Sequence, residues 1–226
     1  IAVIAVRFVW RQTAAEEKLE NSAAQRKILA TNLLLFVFAN GFPLFFAAFM
    51  IAADLGHFRI EERLFFSLLF FYTLFETLGM KTNIATFSSG DRAKMSRFYR
   101  QSVAKVFGIG LLAALTMFAA LSNQTLAGFI GYGWYGDLIL VMALATPFYF
   151  TTYFSNLVLN LVGNHTAVIW SLLSGSVVFI AGAYMLYPVL GLDGVRTAYL
   201  CGGLVSSCFS GTAVLLSQRA ELTGPA

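Results

Sequence analysis

Six long apolar runs limit this chain more than any other feature. They cover residues 28–53, 64–87, 103–121, 137–161, 167–190 and 197–217. A bilayer core takes about 20 apolar residues per helical span, and each run is near or above that length. In hydrocarbon every backbone N–H and C=O must be satisfied within the protein, so only helices and closed barrels can cross. A barrel needs segments of about 10 residues with alternating polarity, whereas these runs are longer and continuous. The sequence therefore predicts an all-α, polytopic membrane protein with six transmembrane helices. Composition agrees. Of 226 residues, 58% are hydrophobic and 12% are charged, which leaves too little polar surface for a soluble domain of this size.

The basic residues set an orientation. Arg7, Arg11, Lys18, Arg26 and Lys27 precede the first run, and Lys81, Arg92, Lys94, Arg97, Arg100 and Lys105 lie in the loop region where the second run gives way to the third. With Arg219 at the end, one side collects twelve Lys and Arg, against Arg59, Arg63 and Arg196 on the other. By the positive-inside rule the first side is cytoplasmic, so both ends of the six-helix unit face the cytoplasm. The same distribution accounts for the net charge of +4 without a nucleic-acid partner. Residues 1–27 read as the end of a preceding helix plus a cytoplasmic linker, 28–217 as the transmembrane lobe and 218–226 as a cytoplasmic tail. Tyr132, Trp134 and Tyr135 are expected to anchor an outer interfacial segment. Asp54, Glu61 and Glu62 are expected in a solvated outer loop.

Polar groups inside the apolar runs are the candidate functional residues. Glu76 lies near the middle of the second run, where a carboxylate costs ~2.5–3.5 kcal/mol on insertion scales. Thr73, Glu76, Met80 and Asn83 share a helix face. So do Tyr149, Thr152, Tyr153, Asn156 and Asn160 on the fourth run, at spacings of three and four. Asn32 and Asn40 lie two turns apart on the first run. Three such faces in one small bundle point to a water-filled cavity, although each single Asn is better accounted for by an interhelical hydrogen bond worth ~0.6 kcal/mol. Pro43 and Pro147 are expected to kink their helices. Gly203, Ser207 and Gly211 form a small-residue stripe that lets another helix come close.

Several chemistries are excluded by what the sequence lacks. It has no Gly-x-x-x-x-Gly-Lys loop, no His-Glu-x-x-His and no Gly-x-Ser-x-Gly. Cys201 and Cys208 lie two turns apart on one face, too far for a disulfide. His165 sits in a short polar turn. No enzyme activity, metal or cofactor is expected.

The last three runs carry a pattern. Pro147 is mid-helix and is followed by Asn160-Leu161-Val162-Gly163-Asn164-His165. The next run ends in Tyr187-Pro188-Val189-Leu190-Gly191-Leu192-Asp193-Gly194-Val195, and a basic loop, Gly90-Asp91-Arg92 to Arg100, precedes the third run. This resembles the polysaccharide flippases of the multidrug/oligosaccharidyl-lipid/polysaccharide exporter superfamily, over about residues 28–217. Arg196 stands where that family usually has a small residue. The resemblance implies one six-helix lobe of a two-lobe transporter, here the C-terminal lobe, with an N-terminal lobe as its partner. It implies a bacterial inner-membrane protein that carries a lipid-linked oligosaccharide across by alternating access. Asn40, Tyr72, Glu76, Tyr149, Asn156 and Asn160 would line the cavity, with Glu76 as a protonation or cation-coupling site. Arg100 and Lys105 could meet the carrier pyrophosphate, though the positive-inside rule alone accounts for them. A drug/cation antiporter of the same superfamily would share this lobe. The membrane half of an ABC exporter also has six helices, but with much longer cytoplasmic extensions than the short turn at 162–166 leaves room for.

Overall fold

A computed structural model describes residues 29, 33, 45–87, 92–123, 125, 128 and 139–220. These residues are all-helical, in five long helices: α1 Ala52–Phe87, α2 Arg92–Ser122, α3 Ile139–Leu161, α4 His165–Leu190 and α5 Leu192–Ala220. Most of the first apolar run, including Asn32 and Asn40, lies outside the described residues, as does the segment holding Tyr132, Trp134 and Tyr135. Among the described residues five long helices stand, not the six expected.

Three helices have segments long and apolar enough to cross a membrane: Lys94–Ala120, His165–Leu190 and Leu192–Ser217. At the helical rise, the 26 residues of the second extend about 39 Å, more than the ~30 Å hydrocarbon core. Their outward faces are apolar. Leu112 and Leu115 on α2, Trp170, Val177 and Tyr184 on α4, and Leu216 on α5 are all exposed, while Thr146, Ser155, Ser171, Ser210 and Arg196 are buried. Apolar outside with polar inside is the arrangement a lipid solvent favours, because buried hydroxyls then find partners across helices.

Helix α3 is the centre of the bundle and packs against all four others. Its core side chains include Phe150, Phe154, Val158 and Leu159. Pro147 lies in its middle and cannot donate to the carbonyl one turn back. Around it, the hydroxyls of Thr151 and Thr152 bond to the carbonyls of Pro147 (2.8 Å) and Phe148 (3.0 Å). Helix α2 crosses α3 at this point through Gly110, where a Cβ would stand 2.6 Å from the Pro147 Cα.

Helices α4 and α5 form a hairpin joined by Gly191 alone. Its φ of +58° suits a residue with no Cβ, and its N–H bonds to the Tyr187 carbonyl at 2.8 Å. Small residues bring the two helices together, and the hydroxyls of Ser171 and Ser206 meet at 3.1 Å. The expected stripe on α5 serves other neighbours. Gly203 lies under the ring of Tyr149 on α3, and Gly211 lies near Tyr99 on α2. The turn from α3 to α4 is tied by Asn164, which caps Ala167 (3.2 Å) and donates to Ser217 (3.1 Å).

Helix boundaries differ from the sequence expectation at three places. Helix α1 starts at Ala52 instead of 64, α2 at Arg92 instead of 103, and α5 at Leu192 instead of 197. In each case a charged stretch is helical because side-chain partners, not water, take up its charges or because it extends an existing helix past the apolar span. The expected solvated loop at Asp54, Glu61 and Glu62 is thereby corrected: it is the first part of α1, and Glu61 and Glu62 are buried.

The α2–α3 crossing yields a prediction. Gly110→Val would drive its side chain into the backbone of Pro147, and overpacking of this kind costs ~1–3 kcal/mol. Chemical unfolding in detergent is expected to show that loss for Gly110→Val. Gly108→Ala, with open space at its Cβ position, is expected to leave stability unchanged or slightly raised.

Candidate functional site

The candidate residues are sorted by which neighbour each helix presents. Helices α1 and α3 lie side by side and run the same way. The ring of Phe65 is 5.1 Å from that of Tyr149, and further along Tyr72 is 5.1 Å from Phe150 and 6.2 Å from Tyr153. One turn beyond this layer come Glu76 on α1 and Asn156 on α3, at the i+4 and i+3 positions that continue the same faces. Tyr72 and Asn156 are 3% and 7% exposed. Among the described residues, the Tyr72 hydroxyl and the Asn156 Oδ1 have no hydrogen-bond partner, and the half-buried Glu76 carboxylate has none either. Unpaired buried polar atoms are rare in folded proteins and mark a place where something else belongs.

Along this α1–α3 seam Tyr72 is thus brought to Tyr153, and by helical spacing Glu76 and Asn156 follow one turn on along the same two faces. The other candidates are elsewhere. Tyr149 turns to α5, where it stacks on Tyr199 at 4.7 Å and donates to the Tyr199 carbonyl at 3.4 Å. Asn160 is exposed at the end of α3, with its Oδ1 2.9 Å from His165 Nδ1. Arg100 and Lys105 are exposed on α2. Asn40 and the side chains of Met80 and Asn83 lie outside what is described. The hydroxyls of Thr73 and Thr152 bond to their own helices' carbonyls, Leu69 and Phe148, at 3.0 Å each, so they contribute less to the seam than their spacing implies.

A second polar constellation was not foreseen. Arg196, in the first turns of α5, is 1% exposed. Its Nε donates to Glu61 Oε2 at 2.9 Å, its Nη2 to Glu61 Oε1, and its Nη1 to Asp193 Oδ1 at 2.6 Å. This is a bidentate fork, the geometry for which a guanidinium is best suited. Beside it, Arg59 donates to Glu62 at 2.6 Å. Burial pushes the Glu62 carboxyl above the usual range, and Arg59 and Arg63 pull it back. One turn earlier on α1, the Tyr187 hydroxyl at the end of α4 donates to Asp54 Oδ2 (3.0 Å) and accepts from the Ile51 N–H (2.9 Å). Together these contacts clasp the start of α1 to the α4–α5 hairpin. The sequence held a signal for it. Asp54, Phe58, Glu61, Phe65, Tyr72 and Glu76 recur at helical spacing with no break, so one helix face runs from the charged stretch into the apolar run.

The clasp makes a testable prediction. Arg196→Met leaves Glu61 buried and unpaired, and breaking a buried pair in this way costs ~3–5 kcal/mol. Combining Arg196→Met with Glu61→Leu is expected to restore most of that loss, because two apolar side chains fill the same space with no charge to desolvate. Thermal unfolding of the three proteins in one detergent tests this; a double variant as unstable as the single would mean that packing, not the charge pair, holds the clasp.

No family model, curated protein or solved structure matches this chain.

Proposed function

We propose that this chain is one lobe of a membrane transporter that moves a lipid-linked oligosaccharide across the bacterial inner membrane by alternating access. The observation that carries this reading is the polar seam between α1 and α3. Helix α2 and the α4–α5 hairpin turn apolar faces outward, yet Tyr72 and Asn156 keep unsatisfied polar atoms inside, and the half-buried Glu76 lies one turn from Tyr72 on α1. A purely structural membrane bundle gains nothing from that, since each unsatisfied group costs free energy in a low-dielectric interior. Polar residues held at such a cost mark pathways and coupling sites. Transport works against a second lobe, so the path lies between the two, with Glu76 coupling the movement to a proton or cation. Arg100 and Lys105, exposed on the basic side, are positioned to meet the phosphates of the lipid carrier. No enzymatic step is part of this function.

The antiporter of small cationic drugs is the reading to separate from it, because a lone carboxylate in a seam also suits a cationic cargo. The full-length protein in liposomes decides between them. Flipping is followed by the exposure of a labelled oligosaccharide-pyrophosphate lipid to a membrane-impermeant reagent, and drug export by the loss of an entrapped fluorescent cation. Headgroup flipping is expected, reduced at least tenfold by Glu76→Gln, equivalent to about 1.4 kcal/mol of barrier. Drug export without flipping would replace the flippase by the antiporter; flipping unchanged by Glu76→Gln would remove Glu76 from coupling.

A further inference from the structure

Helix α2 begins with a run of cations and has no Asp or Glu anywhere along it. Lys94, Arg97, Arg100 and Lys105 are exposed, and so is Gln101 between them. At 3.6 residues per turn these five fall within about 140° of the helix circumference, one outward face. Further along the same face the exposed side chains are apolar: Leu111, Leu112 and Leu115. The opposite face is held. Met95, Tyr99 and Val106 are buried, the Tyr99 hydroxyl lies 2.7 Å from Ser155 Oγ on α3, and its ring stacks on Phe154 at 6.0 Å. The basic turns are therefore fixed against α3 and turned away from the bundle.

This arrangement is unfavourable when taken alone. Among the described residues no acidic side chain pairs with Arg97, Arg100 or Lys105. Lys94, Arg97 and Arg100 follow at intervals of three, where like charges on a helix repel. They also crowd a helix N-terminus, whose own dipole is positive. The positive-inside rule asks only that Lys and Arg lie on this side, and an open loop would meet it with less repulsion. A fixed row of cations is offset by anions that face it.

Depth identifies the anions. The segment Lys94–Ala120 has 27 residues, about 40 Å along the axis, against a hydrocarbon core of ~30 Å. With Ala120 at the far edge of the core, Lys94 to Arg100 stand at the level of the lipid headgroups. The stem of Lys105 reaches back to that level along the helix. We propose that this face of α2 binds acidic phospholipid of the adjoining leaflet. Arg97, Arg100 and Lys105 pair with its headgroup, and Leu111, Leu112 and Leu115 lie against its acyl chains. The match is one of charge above and hydrocarbon below on a single helix face. Phospholipid is the resident ligand of the row, and a carrier arriving in the same leaflet exchanges with it at Arg100 and Lys105. That exchange rests on the transporter reading, whereas the phospholipid binding does not.

The test titrates the purified protein, in micelles of neutral detergent, with fluorescent phosphatidylglycerol or phosphatidylcholine of the same acyl chains. Phosphatidylglycerol is expected to bind at least tenfold more tightly at low salt, and the preference to fade in about 0.5 M sodium chloride as screening shortens the reach of each charge. Arg97→Gln and Lys105→Gln are each expected to weaken its binding about fivefold. Arg97→Lys, which keeps the charge, is expected to retain it, and so is Arg63→Gln, which removes an exposed cation from α1. All these side chains are exposed, and an unchanged melting temperature separates lost binding from a lost fold. Equal binding of the two lipids overturns the proposal. So does a loss from Arg63→Gln as large as that from Arg97→Gln, since net charge and not this face would then attract the lipid. A polyprenyl pyrophosphate that binds where phosphatidylglycerol does not overturns it in favour of the carrier. Phosphatidylglycerol binding that the pyrophosphate fails to displace leaves the site standing and removes the carrier from Arg100 and Lys105.

Discussion

A single buried ion pair, Arg196 with Glu61, organises the described bundle at one end. A guanidinium 1% exposed next to apolar segments is tolerable only if its charge is paired, and the fork onto Glu61 with the third contact to Asp193 provides that. Meeting this requirement has structural consequences. Glu61 must project from a helix aimed at α5, so the charged stretch before the apolar run is helical and α1 reaches 36 residues. Phe58, Phe65, Phe179 and Tyr199 then fill the space between α1 and the hairpin below the pair.

The rest of the packing follows from the bilayer as solvent. With lipid as apolar as a leucine core, helices gain little by hiding apolar surface and associate through close packing and interhelical hydrogen bonds. That is what α4 and α5 show: glycines and serines at the contact, and Ser171 bonded to Ser206. Helix α3 plays the opposite part. It is covered on all sides, so it can carry Thr146, Thr151, Thr152, Ser155 and Asn156 inward. Its Tyr99–Ser155 contact with α2 at 2.7 Å shows how most of this polarity is satisfied. Against that background Thr146 Oγ1 and Asn156 Oδ1 on α3, with the Tyr72 hydroxyl on α1, stand out as buried polar atoms that no neighbour satisfies.

The two polar sites share one helix. Asp54, Glu61, Tyr72 and Glu76 lie along a single face of α1, with the clasp near its start and the seam further along. A helix is stiff over this length, so the clasp fixes where along the bundle the seam residues of α1 stand. Coupling between the two needs no further wiring than the helix itself, provided both ends have alternative arrangements.

Sequence by itself determined the class of this protein: long continuous apolar runs admit only helices in a bilayer, because no other open structure satisfies its own backbone there. It also determined the candidate face on the fourth run and Glu76 on the second, since helical spacing is a local property. It did not determine where charge could be buried. Asp54 and Glu61 read as solvated because their partners, Tyr187 and Arg196, lie more than a hundred residues away, and burial of a charge depends on a partner that only folding supplies. Nor could spacing tell which members of one face meet. Tyr149 and Asn156 share a face of α3, yet a seven-residue separation is about 10 Å along the axis, enough for Tyr149 to bond to Tyr199 on α5 while Asn156 Oδ1 is left without a partner. Tertiary structure decided that Tyr72 meets Phe150 and Tyr153, because the relative placement of α1 and α3 is set by aromatic packing between them and not by either helix alone.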